Sequence, residues 1–71
     1  MKLVGYPATV ELMAGKMRAG DVQKALGISR AVAHYRRRHH GMPSSDSHGF
    51  INSGALARFQ MSRGVTRINW V

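Results

Sequence analysis

The residues with the clearest chemical potential are basic and lie close together. Between positions 29 and 40 the sequence has no acid, and it has four arginines and three histidines: Arg30, Arg36, Arg37, Arg38, His34, His39 and His40. Half of the formal net charge of +8 falls in these twelve residues. Such charges repel one another unless an anion is near. Because arginines outnumber lysines eight to three, and a guanidinium group grips phosphate or guanine with two hydrogen bonds, the pattern predicts a nucleic acid as the anion.

Other kinds of chemistry have little support in the sequence. The only acids are Glu11, Asp21 and Asp46, which are isolated from one another, and neither a glycine-rich phosphate loop nor a nucleophile elbow is present. We therefore predict no enzyme activity. The histidines have no cysteine or acid at a familiar ligand spacing, so we predict no metal and no other cofactor. Protonation of histidine below neutral pH would instead add positive charge.

Length and composition limit the fold. A chain of 71 residues is long enough for one small domain, and Leu, Ile, Val and Phe together number only fifteen. A core this thin favours support from a second subunit or a ligand. The absence of cysteine indicates a reducing cytoplasm. No apolar stretch approaches the roughly 18 residues that span a bilayer, so no membrane association is predicted.

The elements that must position the basic residues are predicted to be helices. Val10, Met13, Ala14 and Met17 follow a spacing of three and four residues, which predicts a first helix over 8–16. A second helix is predicted over 20–26 and a third over 29–39, with Gly27 at the turn between them and Ser29 as the cap of the third. Together they would form a three-helix core over 8–40.

The rest of the chain is less regular. Residues 41–52 are rich in Gly, Pro and Ser and are predicted to be a loop, with a short strand at Phe50 and Ile51. Ser53 is predicted to cap a short helix, and 65–71 to be a strand, with a helix as the second choice. We thus predict a single, mainly α domain over 1–71. It would have three to four helices, with a short C-terminal strand or a small wing added, and 53–71 would serve dimerisation.

The segment DVQKALGISRAVAHYRRRHHGMP has the pattern of a helix-turn-helix: an apolar helix, the turn LGIS and a basic helix. Its second part, GISRAVAHYRRRHHGM, resembles the DNA-binding end of Fis-type proteins. The longer stretch KALGISRAVAHYRRRHHGMP, with the Ala-Leu-rich helix and VTRINW that follow it, is similar to small Cro-like phage repressors and related antitoxins. The resemblance implies a transcriptional regulator of phage or mobile-element type.

The candidate DNA-binding residues follow from this pattern. They are Ser29, Arg30, His34, Arg37, Arg38, Lys24 and Arg36. Arg30 and His34 lie near the start of the basic helix, where side chains reach base edges, whereas Lys24 and the three consecutive arginines are assigned to phosphates. Ser29 is expected to cap the helix as its main role. The resemblance leaves two orientations of this helix open: one turns Ala33 and either Arg36 or Arg37 toward the core, and the other buries Val32 and Tyr35 instead.

The sequence therefore predicts a sequence-specific regulator of transcription that binds double-stranded DNA, acting as a repressor and as a homodimer with Trp70 and Val71 at the mating surface. One alternative is a winged excisionase-like or architectural protein that bends DNA, with 44–51 as the wing. A second is a phage-encoded interaction protein whose basic surface inhibits an acidic host factor.

Overall fold

The computed structural model describes residues 5–71 and contains four strands and three helices. In chain order they are β1 (Thr9–Leu12), β2 (Lys16–Arg18), α1 (Ala19–Leu26), α2 (Arg30–His39), β3 (Phe50–Asn52), α3 (Ser53–Ser62) and β4 (Arg67–Trp70). Helices account for 42% and strands for 21%. The prediction of a mainly α domain is therefore wrong, because the protein is a small α/β fold.

The difference arises at the N-terminal side of the molecule, where the helix predicted over 8–16 is absent. β1 buries Val10 and Leu12 and exposes the residues between them, which is the two-residue alternation of a strand. Gly15 follows with φ +92°, a conformation that a helix does not contain. The chain then continues into β2. The predicted three-helix core over 8–40 is thus two strands followed by two helices.

The four strands form two separate two-stranded sheets. β1 and β4 are parallel, with Thr9 beside Arg67 and Leu12 beside Trp70. β2 and β3 are antiparallel, with Lys16 beside Asn52 and Arg18 beside Phe50. The strand predicted at Phe50 and Ile51 is confirmed as part of β3, and the strand predicted at the C-terminal end is confirmed as β4.

One core joins the sheets to the helices. It consists of Val10, Leu12, Met17, Val22, Leu26, Ile28, Val32, Ala33, Met42, Ile51, Leu56, Ala57, Phe59 and Val65. The helix predicted to be capped by Ser53 instead has Asn52 as its cap, since the Asn52 side chain accepts a hydrogen bond from the Ala55 amide at 3.0 Å. The Ser53 hydroxyl is buried and donates to the carbonyl of Gly15 at 2.7 Å, which ties α3 to the β1–β2 connection.

The two central helices lie where the sequence predicts them. α1 starts at Ala19 rather than Gly20, and α2 starts at Arg30 with Ser29 as its cap. Within residues 5–71, none of the helices is both long and apolar enough to cross a membrane.

Candidate nucleic-acid interface

A sharp turn joins α1 to α2 and fixes their relative placement. Gly27 adopts φ 64° and ψ 36°, the left-handed conformation that glycine reaches without a steric penalty. Its amide and that of Ile28 donate to the last carbonyls of α1, those of Lys24 and Gln23, at 3.3 and 3.1 Å. Leu26 and Ile28, on either side of the glycine, are both buried. The LGIS sequence thus forms a tight turn between two helices, and both of its large apolar side chains are buried.

Both ends of α2 are fixed. The Ser29 hydroxyl oxygen accepts a hydrogen bond from the Val32 amide at 3.1 Å, which confirms its predicted role as the N-cap. At the other end, the amides of His40 and Met42 both donate to the carbonyl of Arg36, at 2.8 and 3.2 Å. Gly41 has φ +81°, and Met42 returns to the core. The basic helix is therefore an ordered element of defined length.

The inward face of α2 decides between the two orientations that the sequence leaves open. Val32, Ala33 and Arg36 are buried, whereas Tyr35 is 39% exposed. Ala33 has no exposed surface, so its side of the helix faces the core. The orientation is thus the one with Ala33 and Arg36 inward, and the orientation that buries Tyr35 is wrong.

The outward face of α2 brings together four of the predicted site residues. Arg30, His34 and Arg38 are exposed and Arg37 is half-buried. Consecutive residues of an α-helix are rotated by about 100°, so these four side chains lie within an arc of roughly 100°. Three guanidinium groups and one imidazole therefore form a continuous stripe along the helix, which we call the α2 stripe.

Arg36 has a different position from its neighbours. The sequence groups it with the phosphate-binding arginines, but only 2% of its surface is exposed. Its guanidinium lies 4.0 Å from the centre of the Tyr6 ring and donates to the carbonyl of Gly5 at 3.3 Å. A side chain held in this way cannot reach a phosphate at the surface, so we leave Arg36 out of the α2 stripe.

Tyr6 is the centre of a cluster that the sequence did not indicate. Arg36 and Arg63 both lie over its ring, and its hydroxyl is 2.7 Å from Nδ1 of His40. Desolvation, together with the charges of Arg63, Arg36 and His39, lowers the pKa of His40. The neutral ring is therefore favoured, and His40 adds a hydrogen bond to this cluster rather than a further charge. No sequence pattern links Tyr6 to the other members of the cluster, which lie 30 to 57 positions away.

Lys24 lies on α1 rather than on α2. It is exposed, and it lines an open cleft together with Glu11, Asp21 and the C-terminal Val71. Two of the three acids of the chain thus line the same cleft as Lys24. The Asp21 carboxylate also accepts the amide of Arg18 at 3.2 Å at the start of α1, where negative charge stabilises a helix.

A second basic surface lies on the β2–β3 sheet and was missed at the sequence level. Lys16 and Arg18 project from the same face of β2, and both lie over the ring of Phe50 on β3, at 5.6 and 4.7 Å from its centre. We call this group the β2–β3 ribbon. Beside it, the Asp46 carboxylate accepts the amides of Phe50 and His48, and these bonds lower its pKa. The pairing of β2 with β3 brings Lys16 and Arg18 next to Phe50, which lies more than thirty positions later in the sequence.

No family model matches the chain, and neither a curated protein nor a solved structure does. The geometry of the site is therefore the basis for proposing a function. In the part of the chain that the structure describes, His, Cys, Asp and Glu side chains nowhere form a group of three that could hold a metal ion. The described arrangement is a positively charged helix that follows a tight turn.

Proposed function

We propose that this protein is a regulator of transcription that binds double-stranded DNA and inserts α2 into the major groove. The observation that carries the proposal is the α2 stripe: Arg30, His34, Arg37 and Arg38 share one outward face of a helix that is capped, ordered and joined to α1 by the Gly27 turn. Sequence resemblance to Fis-type proteins and Cro-like repressors supports a repressor, and the lack of cysteine in the sequence supports a site of action in the reducing cytoplasm.

The dimensions of α2 suit this role. Its ten residues make a helix about 15 Å long, and a helix with its side chains is about 10 to 12 Å across. The major groove of B-form DNA is about 12 Å wide and admits one helix. A helix with its charged face outward and its apolar face against a core can therefore enter the groove without unfolding.

The roles of the residues follow from their positions along α2. Arg30 and His34 belong to the N-terminal half, from which side chains reach base edges in helix-turn-helix complexes. Arg37 and Arg38 lie further along α2, and we assign them, with the exposed Lys24 of α1, to phosphates. Ser29 caps the helix and, being exposed, is also available to a phosphate. Base contacts would give specificity, and phosphate contacts would give most of the salt-dependent affinity.

The test compares single substitutions that remove the same charge. DNA fragments are first selected from random sequence with the purified protein, and binding is then measured by fluorescence anisotropy over a range of salt. Arg30→Ala should reduce the preference for the selected sequence over random DNA by about 1 to 3 kcal/mol. Arg37→Ala should weaken binding to both, and should lower the slope of log affinity against log salt by about 1.

The matched control is Arg58→Ala, which removes an exposed arginine from α3. We expect it to change affinity far less than either α2 variant. Equal effects of all three substitutions would mean that binding follows net charge alone and would contradict insertion of α2. Unchanged affinity in Arg30→Ala and Arg37→Ala would contradict the proposal outright.

A second candidate function, DNA bending by an architectural protein, is favoured by the β2–β3 ribbon. Lys16 and Arg18 both lie over the Phe50 ring on a short antiparallel pair of strands, as in a small wing. If the ribbon contacts DNA, Arg18→Ala should reduce the bend angle measured by energy transfer between labelled DNA ends while sequence preference is kept. An unchanged bend angle in both Arg18→Ala and Lys16→Ala would count against this candidate.

A further inference from the structure

The outer edge of β4 is open within residues 5–71. β4 belongs to a sheet of two strands, and its single partner among the described strands is β1. Two-stranded sheets are only marginally stable, and parallel sheets are seldom left uncovered. An exposed strand edge offers a row of free main-chain groups to which another strand can pair.

The hydrogen bonds to β1 show which main-chain groups are free. The amide of Arg67 donates to the carbonyl of Ala8 at 3.0 Å, and that of Val71 donates to the carbonyl of Leu12 at 2.8 Å. Along a strand, the residues whose main-chain groups face one neighbour alternate with those that face the other. The amides and carbonyls of Ile68 and Trp70 therefore point away from β1, toward the open edge.

These outward groups are arranged symmetrically about Asn69. If two copies of β4 run antiparallel across a two-fold axis at Asn69, Ile68 of each copy lies opposite Trp70 of the other. Each of these two pairs exchanges two main-chain hydrogen bonds, so four bonds form in all. The two parallel two-stranded sheets would thereby become one four-stranded sheet.

The side chains of β4 fit the same arrangement. Ile68 and Trp70 lie on one face of the strand; Ile68 is half-buried and Trp70 is 51% exposed. In the paired sheet each Trp70 would be the cross-strand neighbour of Ile68 in the other copy and would cover it. Arg67, the one charged residue of β4, would face Val71 of the other copy rather than a second cation. β4 also has no lysine or proline, the residues that commonly protect an edge strand.

We infer that the partner of β4 is a second copy of this chain, paired antiparallel through Ile68 and Trp70 with Asn69 on the two-fold axis. The inference deepens the proposed function by naming the subunit that would supply the second recognition helix for a second half-site. Its own test needs no DNA.

The sharpest test is a single cysteine, because the chain has no cysteine of its own. In the inferred register the two Asn69 residues form a pair without mutual hydrogen bonds, with Cα atoms about 4.5 Å apart. This separation lies within the range of about 4.4 to 6.8 Å that a disulfide spans. Asn69→Cys should therefore yield a covalent dimer on a non-reducing gel after mild oxidation.

The matched control is Arg67→Cys on the same face of the same strand. Its counterpart would lie four residues further along the partner strand, about 13 Å away, so it should stay a monomer on the gel. The unmodified protein should show twice its 7.8 kDa mass by light scattering at micromolar concentration. Asn69→Glu places two carboxylates face to face and should weaken the dimer at least tenfold, while Thr9→Glu on β1 should not.

Several results would overturn the inference: no crosslink in Asn69→Cys, equal crosslinking in Arg67→Cys, or a monomeric mass for the unmodified protein. Circular dichroism of Asn69→Glu identifies loss of the fold as a separate cause. A protein that crosslinks through Asn69→Cys but fails to bind DNA would refute the proposed function alone. A monomer whose affinity for DNA depends on Arg30 and Arg37 would refute only the pairing of β4.

Discussion

Helices α2 and α3 are equally long, yet they are built for different surroundings. Each has ten residues, and each is capped by a polar side chain that accepts a backbone amide, Ser29 in α2 and Asn52 in α3. α3 contains one cation, Arg58, and five of its residues are buried. α2 contains four arginines, and three of its residues are buried, of which one is an arginine. Neither helix formation nor core packing in this fold therefore requires a helix as basic as α2. Most of the charge of α2 lies on its outward face, and Arg36 alone of its arginines is buried.

The same two helices each bury one large polar side chain, with opposite outcomes. Arg36 in α2 donates to the Gly5 carbonyl and lies over Tyr6. Gln60 in α3 has no exposed surface, and its side-chain nitrogen and oxygen have no hydrogen-bond partner among the described residues. Replacing each by methionine, an apolar residue of similar length, tests whether the polar group stabilises or destabilises the fold. We expect Arg36 to stabilise it and Gln60 to destabilise it.

The largest effect is expected for Arg36→Met. The change removes a hydrogen bond from a charged donor and the contact of the cation with the Tyr6 ring, and should lower the free energy of unfolding by roughly 2 to 4 kcal/mol. The control is Arg37→Met, at the neighbouring half-buried arginine, which should change the free energy of unfolding by about 0.5 kcal/mol or less. Urea denaturation followed by circular dichroism measures both. Equal stabilities would mean that Arg36 contributes nothing as a buried cation.

An effect of opposite sign is expected for Gln60→Met. A buried amide without partners destabilises the folded state by about 1 to 3 kcal/mol, and methionine fills a similar volume without polar atoms. The variant should therefore unfold at a higher urea concentration than the unmodified protein. Gln23→Met on α1, where the side chain is half-buried, serves as the control and should shift the midpoint much less. A loss of stability in Gln60→Met would show that the amide is in fact satisfied in solution.

The smallest effects concern the two caps. Ser29→Ala and Asn52→Ala each remove one capping hydrogen bond, and each should lower the free energy of unfolding by about 1 kcal/mol. Their effects on DNA affinity should differ, because only Ser29 adjoins the α2 stripe. Ser29→Asp preserves the cap but adds a negative charge, so it should keep stability and weaken binding. Equal DNA affinity in all three variants would contradict a position of α2 at the DNA interface.

The region from α1 to the end of α2 was predictable because its signals are local. Gly27 lies where a left-handed residue is needed, Ser29 lies one residue before α2, and Gly41 follows its end, so each boundary is marked by a residue with a specific backbone role. That the four residues of the α2 stripe share one face was predictable for the same reason, since the spacing of residues on a helix fixes which side chains share a face.

The strands were harder to predict because their stabilising partners are distant. Residues 10, 13, 14 and 17 have helical spacing, but Val10 and Leu12 also alternate with exposed residues, and the second pattern prevails because β4 supplies a partner. No residue near β1 in the sequence indicates that its partner strand lies 58 positions later. The burial of Arg36 has a similar cause, since it depends on Tyr6 and Gly5, about thirty positions earlier in the chain.

The parallel pairing of β1 with β4 also has a consequence for the order of folding during synthesis. Thr9 and Arg67 are 58 positions apart, so β1 has no sheet partner until almost all of the described chain has been made. At about 5 to 20 residues per second, this interval lasts roughly 3 to 12 s. During that time Val10 and Leu12, the two buried residues of β1, have no strand beside them. The part of the core around β1 is therefore completed only when β4 has been made.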